Sequence, residues 1–147
     1  MKVELAASAD SRIRLFAVAA YPNEGCGVLI GRSDGERVEV ASATSGTNTN
    51  TVRARDRYVL DPLDIVRADR EARTLGLDVV GIWHSHPDHP AMASQFDSDH
   101  AWVDYVYLIV TTTAHGAGDL NGFALKGEGV VLELLPLALT SGAEPGR

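Results

Sequence analysis

His84-Ser85-His86-Pro87, followed six residues later by Ser94-Gln95-Phe96-Asp97, gathers two imidazoles, a hydroxyl and a carboxylate within fourteen positions. Two histidines and one carboxylate make a three-ligand zinc set, which leaves the fourth tetrahedral position open to water. A water whose pKa is lowered in this way is a hydrolytic nucleophile at neutral pH. The chemistry these residue types point to is metal-assisted hydrolysis.

That chemistry needs elements that aim the side chains at one point. The run Asp78-Val79-Val80-Gly81-Ile82-Trp83 reads as a strand leading into the motif. A strand repeats its side-chain direction every two residues, so His84 and His86 project to one face and Ser85 to the other. Pro87 is expected to end ladder pairing and turn the chain. Ser94 is a good N-cap for a helix over 95–102, whose first turn offers Asp97. Asp99 is the rival carboxylate, but it lies about 200° further around such a helix. The Ser94 to Asp97 spacing of three puts hydroxyl and carboxylate on one helix face, which favours Asp97. The same spacing also resembles a helix-start capping arrangement. His89, His100 and His115 fall on loop or helix surface and are read as non-ligands.

Hydrolysis also needs a general base to take the water proton and pass it to the leaving amine. Glu24 stands out among the acids outside the motif, in Pro22-Asn23-Glu24-Gly25-Cys26-Gly27. The small residues around it would let backbone and substrate approach closely. From spacing alone, a surface-turn acid is nearly as good a reading of Glu24.

The rest of the chain reads as an α/β alternation. Residues 9–21 suit an amphipathic helix with apolar positions at Ile13, Phe16, Ala17 and Ala20, capped by Asp10 or Ser11. Residues 26–32 look like a buried strand and 37–41 like a half-exposed one, around a turn at Ser33-Asp34-Gly35. Residues 44–57, rich in Thr, Ser, Asn and Arg, read as a long loop and hence a functional candidate. Residues 57–60 suggest a short strand. Asp61-Pro62 then opens a helix that buries Leu63, Val66 and Leu75 and ends at Gly76. Residues 105–112 form the most β-rich segment, with further strands at 120–126 and 130–137, and a disordered tail is expected over 140–147. The fold class is therefore α/β, a single domain over 1–139 with a mixed sheet flanked by helices.

Composition narrows the function. The chain has 147 residues, 45% hydrophobic and 22% charged, as an ordinary globular domain does. A net charge of −7 argues against a nucleic-acid footprint. No apolar run reaches the ~20 residues of a membrane span, and the N-terminus shows no secretory pattern. The single cysteine, Cys26, allows no internal disulfide, so a cytoplasmic location is expected and Cys26 reads as a packed core thiol.

These residues together resemble the JAMM (MPN+) zinc metalloproteases, in particular their short prokaryotic JAB-type branch. The matching positions are Glu24, His84-Ser85-His86-Pro87 and Ser94-Gln95-Phe96-Asp97, with Asp61-Pro62-Leu63 and Tyr107-Leu108-Ile109-Val110 alongside. The resemblance implies an MPN (cytidine-deaminase-like) fold and one Zn²⁺ held by His84, His86 and Asp97. It implies Glu24 as general acid/base and Ser94 as hydrogen-bond donor to the oxyanion. It also implies a partner, a small ubiquitin-like sulfur-carrier protein whose C-terminal Gly-Gly precedes the scissile bond. Residues 44–57 would wall the cleft, with Arg53, Arg55 and Arg57 facing an acidic or extended partner, and exposed strand edges are compatible with a homodimer. Two other classes compete. A non-catalytic interaction module of the same fold would typically lose metal ligands, whereas all are kept here. A deaminase would need H-x-E with a distant P-C-x-x-C, which one cysteine excludes.

Overall fold

A computed structural model describes residues 1–125 and 131–141. In chain order the elements are β1 (Lys2–Ala6), α1 (Ala7–Ala20), β2 (Cys26–Ser33), β3 (Arg37–Ala43), α2 (Pro62–Thr74) and β4 (Asp78–Pro87). Then come α3 (Gln95–Asp99), β5 (Val106–Thr113), β6 (Gly116–Leu125), β7 (Leu132–Leu135) and β8 (Leu137–Thr140). The strands form one mixed sheet in the order β7-β6-β5-β4-β2-β3-β1-β8. The α/β single sheet with flanking helices is as expected.

The two ends of that order are joined by a single residue, Pro136, between β7 and β8. The sheet must therefore curl until its edges approach. Val3 N–H donates to the Pro136 carbonyl at 2.8 Å, and Gly122 of β6 lies against Leu137 and Val3. Alternation along each strand divides the core into two layers. Leu29, Val38, Val40, Val106, Leu108 and Val110 pack with Ala9, Ile13 and Ala17 of α1. Val28, Ile30, Ile82, Tyr107 and Ile109 pack with Ala68 and Ala72 of α2. Ile82 shares its parity with His84 and His86, so both histidines belong to the α2 side.

Several local expectations need correction. β1, a strand of five residues, was not anticipated. It pairs in parallel with both β3 and β8. The N-cap of α1 is Ala6 with no side-chain cap, because the helix starts before Asp10, which bonds Arg14 instead. Residues 57–60 form no strand, only an isolated bridge between Asn48 and Leu60. The buried stripe of α2 is Asp64, Ala68 and Ala72, while Leu63 and Val66 are exposed. Small residues let this helix lie close to the sheet, which turns its larger side chains outward. α3 stops at Asp99 rather than at residue 102. The 130–137 segment breaks at Pro136 into β7 and β8, and Thr140, assigned to the tail, pairs with Ala6. The rest of that tail from 142 lies outside the described residues, as do Lys126 and Val130 at the ends of the two expected strands.

Candidate active site

β4 carries the histidines, and glycine lets its neighbours close in. A Cβ on Gly81 would run into the Val106 carbonyl of β5, so only glycine permits this parallel pairing to hold β4 in register beside β5. β4 continues through the motif, with His84 opposite Ile109 and Pro87 opposite Thr112. Contrary to expectation, Pro87 does not end the pairing. The chain turns one residue later at Asp88, which has φ 59° and donates its N–H to the Thr112 carbonyl at 2.7 Å. Tyr21 Oη donates to the Asp88 carboxylate at 2.9 Å and secures that turn.

Ser85 points away from the histidines, as strand parity requires, and pins the segment bearing Glu24. Its Oγ accepts from Gly25 N–H at 2.8 Å, and its own N–H donates to the Gly25 carbonyl at 3.0 Å. Asp97 is aimed by a full capping box. Ser94 Oγ accepts from Asp97 N–H at 3.0 Å, and Asp97 Oδ2 accepts from Ser94 N–H at 2.9 Å. The cap and the site are thus one arrangement, and Ser94, exposed at the surface, keeps its hydroxyl hydrogen free to donate.

His84, His86 and Asp97 converge. His84 Nε2 lies 3.2 Å from Asp97 Oδ1 and 3.2 Å from His86 Nε2, and His86 Nε2 lies 3.2 Å from Asp97 Oδ2. Donors about 2.0–2.1 Å from a common ion at tetrahedral angles stand about 3.3–3.4 Å apart, so the spacing fits a metal ion at the centre. His86 Nδ1–H donates to the Pro90 carbonyl at 2.9 Å, which leaves the Nε2 lone pair directed inward. Among the described residues this trio is the one group of three that could hold a metal ion. His89, His100 and His115 are exposed and outside it. Asp99 is exposed as well, and accepts from Gln95 Nε2 at 2.8 Å.

Charge favours a cation here. Burial alone would raise the Asp97 carboxyl, but the two imidazoles beside it and the N–H of Ser94 hold it well below the usual carboxylate range. Burial depresses His84. In His86 burial is outweighed by Asp97, the Pro90 carbonyl and Glu24, which raise it. Glu24 itself is buried, and its Oε1 has no hydrogen-bond partner among the described residues. Burial pushes its carboxyl up to about 8; His86 opposes the shift and Asp97 adds to it. Cys26 sits opposite His84 in the ladder as a core thiol, pushed up to about 12 by burial.

Sequence reasoning missed the surroundings of the trio. Tyr58 stacks on His84 with ring centroids 4.5 Å apart, and Arg57 lies over the Phe96 ring at 4.5 Å. A groove of about 420 Å³, lined by Tyr58, Phe96, Trp102, Tyr105 and Tyr107, reaches Asp97. A second of about 640 Å³ runs between loop residues Arg53 and Arg55 and the Pro87–His89 turn. Arg53 is engaged with Asp56, so of the three loop arginines Arg55 is the one that faces this groove without an ion-pair partner among the described residues. The density of Tyr, Phe and Trp between 96 and 107 was the available signal for the first groove.

This α/β fold with a His-His-Asp trio defines a JAMM-type protease. The chain belongs to the prokaryotic homologs of the JAB domain, whose family model matches residues 6–124. It is 37% identical over 123 residues to a desampylase of Haloferax volcanii, covering 78% of this chain and 86% of that one. It is 31% identical over 127 residues to a probable TtuB-protein conjugate cleaving protease of Thermus thermophilus, covering 86% and 77%. Among solved structures, a solution structure of a Desulfitobacterium hafniense protein matches with TM-score 0.82 and 26% identity, covering 97% of this chain and 95% of that one. One from Salinibacter ruber matches with TM-score 0.70 and 33% identity, covering 99% and 95%. No helix among the described residues is long and apolar enough to cross a membrane.

Proposed function

We propose that this enzyme is a cytoplasmic zinc peptidase that hydrolyses the bond after the C-terminal Gly-Gly of a small ubiquitin-like carrier protein. His84, His86 and Asp97 would hold one zinc ion, Glu24 would act as general acid/base and Ser94 would bind the oxyanion. The observation that carries the reading is the convergence of His84, His86 and Asp97, each pair 3.2 Å apart at its nearest atoms, together with a buried carboxyl that has an unpartnered oxygen. The names of the desampylase and the conjugate-cleaving relative support the choice of substrate class.

The chemistry zinc supplies there is polarisation of the scissile carbonyl and a lowered pKa for water. Glu24 takes the proton from the attacking water and delivers it to the leaving amine. A carboxyl near 8 in the metal-free protein is readily protonated, which suits the acid half of that duty, and a nearby cation would draw it down toward the base half. Ser94 Oγ–H donates to the carbonyl oxygen as negative charge develops. His86, fixed by Pro90, keeps its ring orientation throughout. A tail of two glycines has no side chains, so it can thread between the flanking grooves, and the aromatic groove would take apolar residues of the carrier.

The test is zinc content by elemental mass spectrometry, followed by intact-mass analysis of Gly-Gly-X carriers. Near one zinc per chain, lost in His86→Ala, with mass loss at the Gly-Gly end, is the expected result. Wild type that stays empty when zinc is supplied, or carriers that stay whole, would overturn it.

A further inference from the structure

The Glu24 carboxyl has little of its own to hold it. Its Oε1 is buried and unpartnered, so its place is set by the backbone that carries it. Two bonds beyond the Ser85 clamp fix that backbone. Glu24 N–H donates to the Ala54 carbonyl at 2.6 Å, and the Glu24 carbonyl accepts from Asn48 Nδ2 at 3.2 Å. Asn48 does more than this. The same amide nitrogen donates to the Arg57 carbonyl at 3.1 Å. Its Oδ1 accepts from Asn50 N–H at 3.0 Å and from Val59 N–H at 3.1 Å. Both donors and both lone pairs of the side chain are therefore used. The amide orientation follows from its partners: two carbonyls face Nδ2 and two N–H groups face Oδ1, and a flip would set like against like.

Arg57 and Val59 bracket Tyr58, the residue stacked on His84. One half-buried side chain thus ties the strand end bearing the carboxyl to the loop segment that covers a candidate ligand. We infer that Asn48 is a positioning residue, holding Glu24 and Tyr58 at fixed places relative to the His84-His86-Asp97 trio. This rests on the assignment of Glu24 as the general base. A group misplaced by about 1 Å can lose on the order of 10²-fold in rate, so loss of the anchor should appear in kcat. Metal content should not follow it, because the three donors lie on β4 and α3.

The experiment compares wild type, Asn48→Ala, Asn48→Asp and Glu24→Gln, each zinc-loaded, on a Gly-Gly-X carrier, well below the unfolding temperature of every variant. Amide hydrogen exchange is read in parallel at Glu24, Asn50 and Val59. Asn48→Asp preserves shape but presents a carboxylate to two carbonyls, so it removes the donor half of the clamp. In both Asn48 variants kcat is expected to fall about 10- to 100-fold, with KM within about threefold and zinc near the wild-type level. Exchange at Glu24 N–H should quicken. Wild-type kcat with unchanged exchange in Asn48→Ala would overturn the inference, as would a lowered unfolding temperature without a kcat change. Full turnover by Glu24→Gln would instead sink the base assignment. If wild type cleaves no carrier, exchange at Glu24 still decides for or against the anchor.

Discussion

Replacing Glu24 by Gln probes the buried carboxyl without any substrate. In the folded metal-free protein its pKa is about 8, against an ordinary value of 4.5, so folding takes up a proton between those limits. The sign follows directly. Where the folded state binds more protons than the unfolded one, stability falls as pH rises. This group's penalty is absent below about pH 4.5, grows through the window and is complete above about 8. At about 1.36 kcal/mol per unit, wild type should lose about 2–3 kcal/mol between pH 5 and pH 7 through Glu24 alone. Gln carries no such penalty, and any cost of burying its amide is independent of pH. The other ionisable groups are common to both proteins, so the difference between the two pH profiles reads Glu24 together with its coupling to His86. For a domain of this size the gap corresponds to roughly 5–10 °C in Tm. The assay is thermal unfolding of both proteins in chelator at pH 5 and pH 7. The expected result is a Gln variant that gains on wild type as pH rises, while losing turnover when loaded with zinc. In the loaded proteins the gap should shrink, because a dication near the carboxylate favours its charged form. An offset equal at both pH values would refute the reasoning, as would a variant that loses ground toward pH 7.

Three further outcomes follow from the geometry. Asp97→Asn keeps an oxygen able to accept from Ser94 N–H but removes the charge; zinc per chain should fall well below one while circular dichroism stays unchanged, and full zinc would contradict the trio. Gly81→Ala drives a methyl group into the Val106 carbonyl and should cost at least about 2 kcal/mol in urea unfolding; a wild-type midpoint would show that β4 and β5 can separate there freely. On α2, Leu63→Ser should change stability by less than about 0.5 kcal/mol, whereas Ala72→Leu should cost about 1–3 kcal/mol by overpacking. The reverse ranking would return the buried stripe to Leu63 and Val66.

What could be read from the sequence was whatever is decided locally. Strand parity placed His84 and His86 on one face because the period of two holds for any strand. Asp61-Pro62 and Gly76 bounded α2 because cap, N1 proline and left-handed glycine act within a turn; Asp61 Oδ1 accepts from Leu63 N–H at 3.0 Å, and Gly76 has φ 68°. The buried face of the same helix was misread, because hydrophobicity alone does not say how near the sheet lies. Ala68 and Ala72 are buried by close approach, and that distance is a tertiary property. β1 went unread for a similar reason: Lys2–Ala6 is short and mixed in polarity, and its partners β3 and β8 lie far along the chain.

The candidate site divides along the same line, between the proposed ligands and the proposed base. Ser94 and Asp97 posed a choice between cap and function, and the capping box removes the choice, since the bonds that start α3 are those that aim the carboxylate. The trio is therefore nearly a local object, legible from spacing. Glu24 is not: nothing within its own segment distinguishes it from a turn acid. What distinguishes it is Ser85 holding Gly25 across sixty positions, Ala54 accepting from its N–H and Asn48 donating to its carbonyl. An Asn in a loop rich in Thr, Ser and Asn carries no sign of which four backbone groups it will meet. The spacing of the proposed ligands thus survives in one dimension because a strand and one helical turn set it, whereas the proposed base is placed by long-range backbone bonds. Glu24→Gln should separate these two layers, with zinc retained and turnover lost. A variant that lost its zinc would show that the trio depends on Glu24 as well, and that the ligands are less local than their spacing suggests.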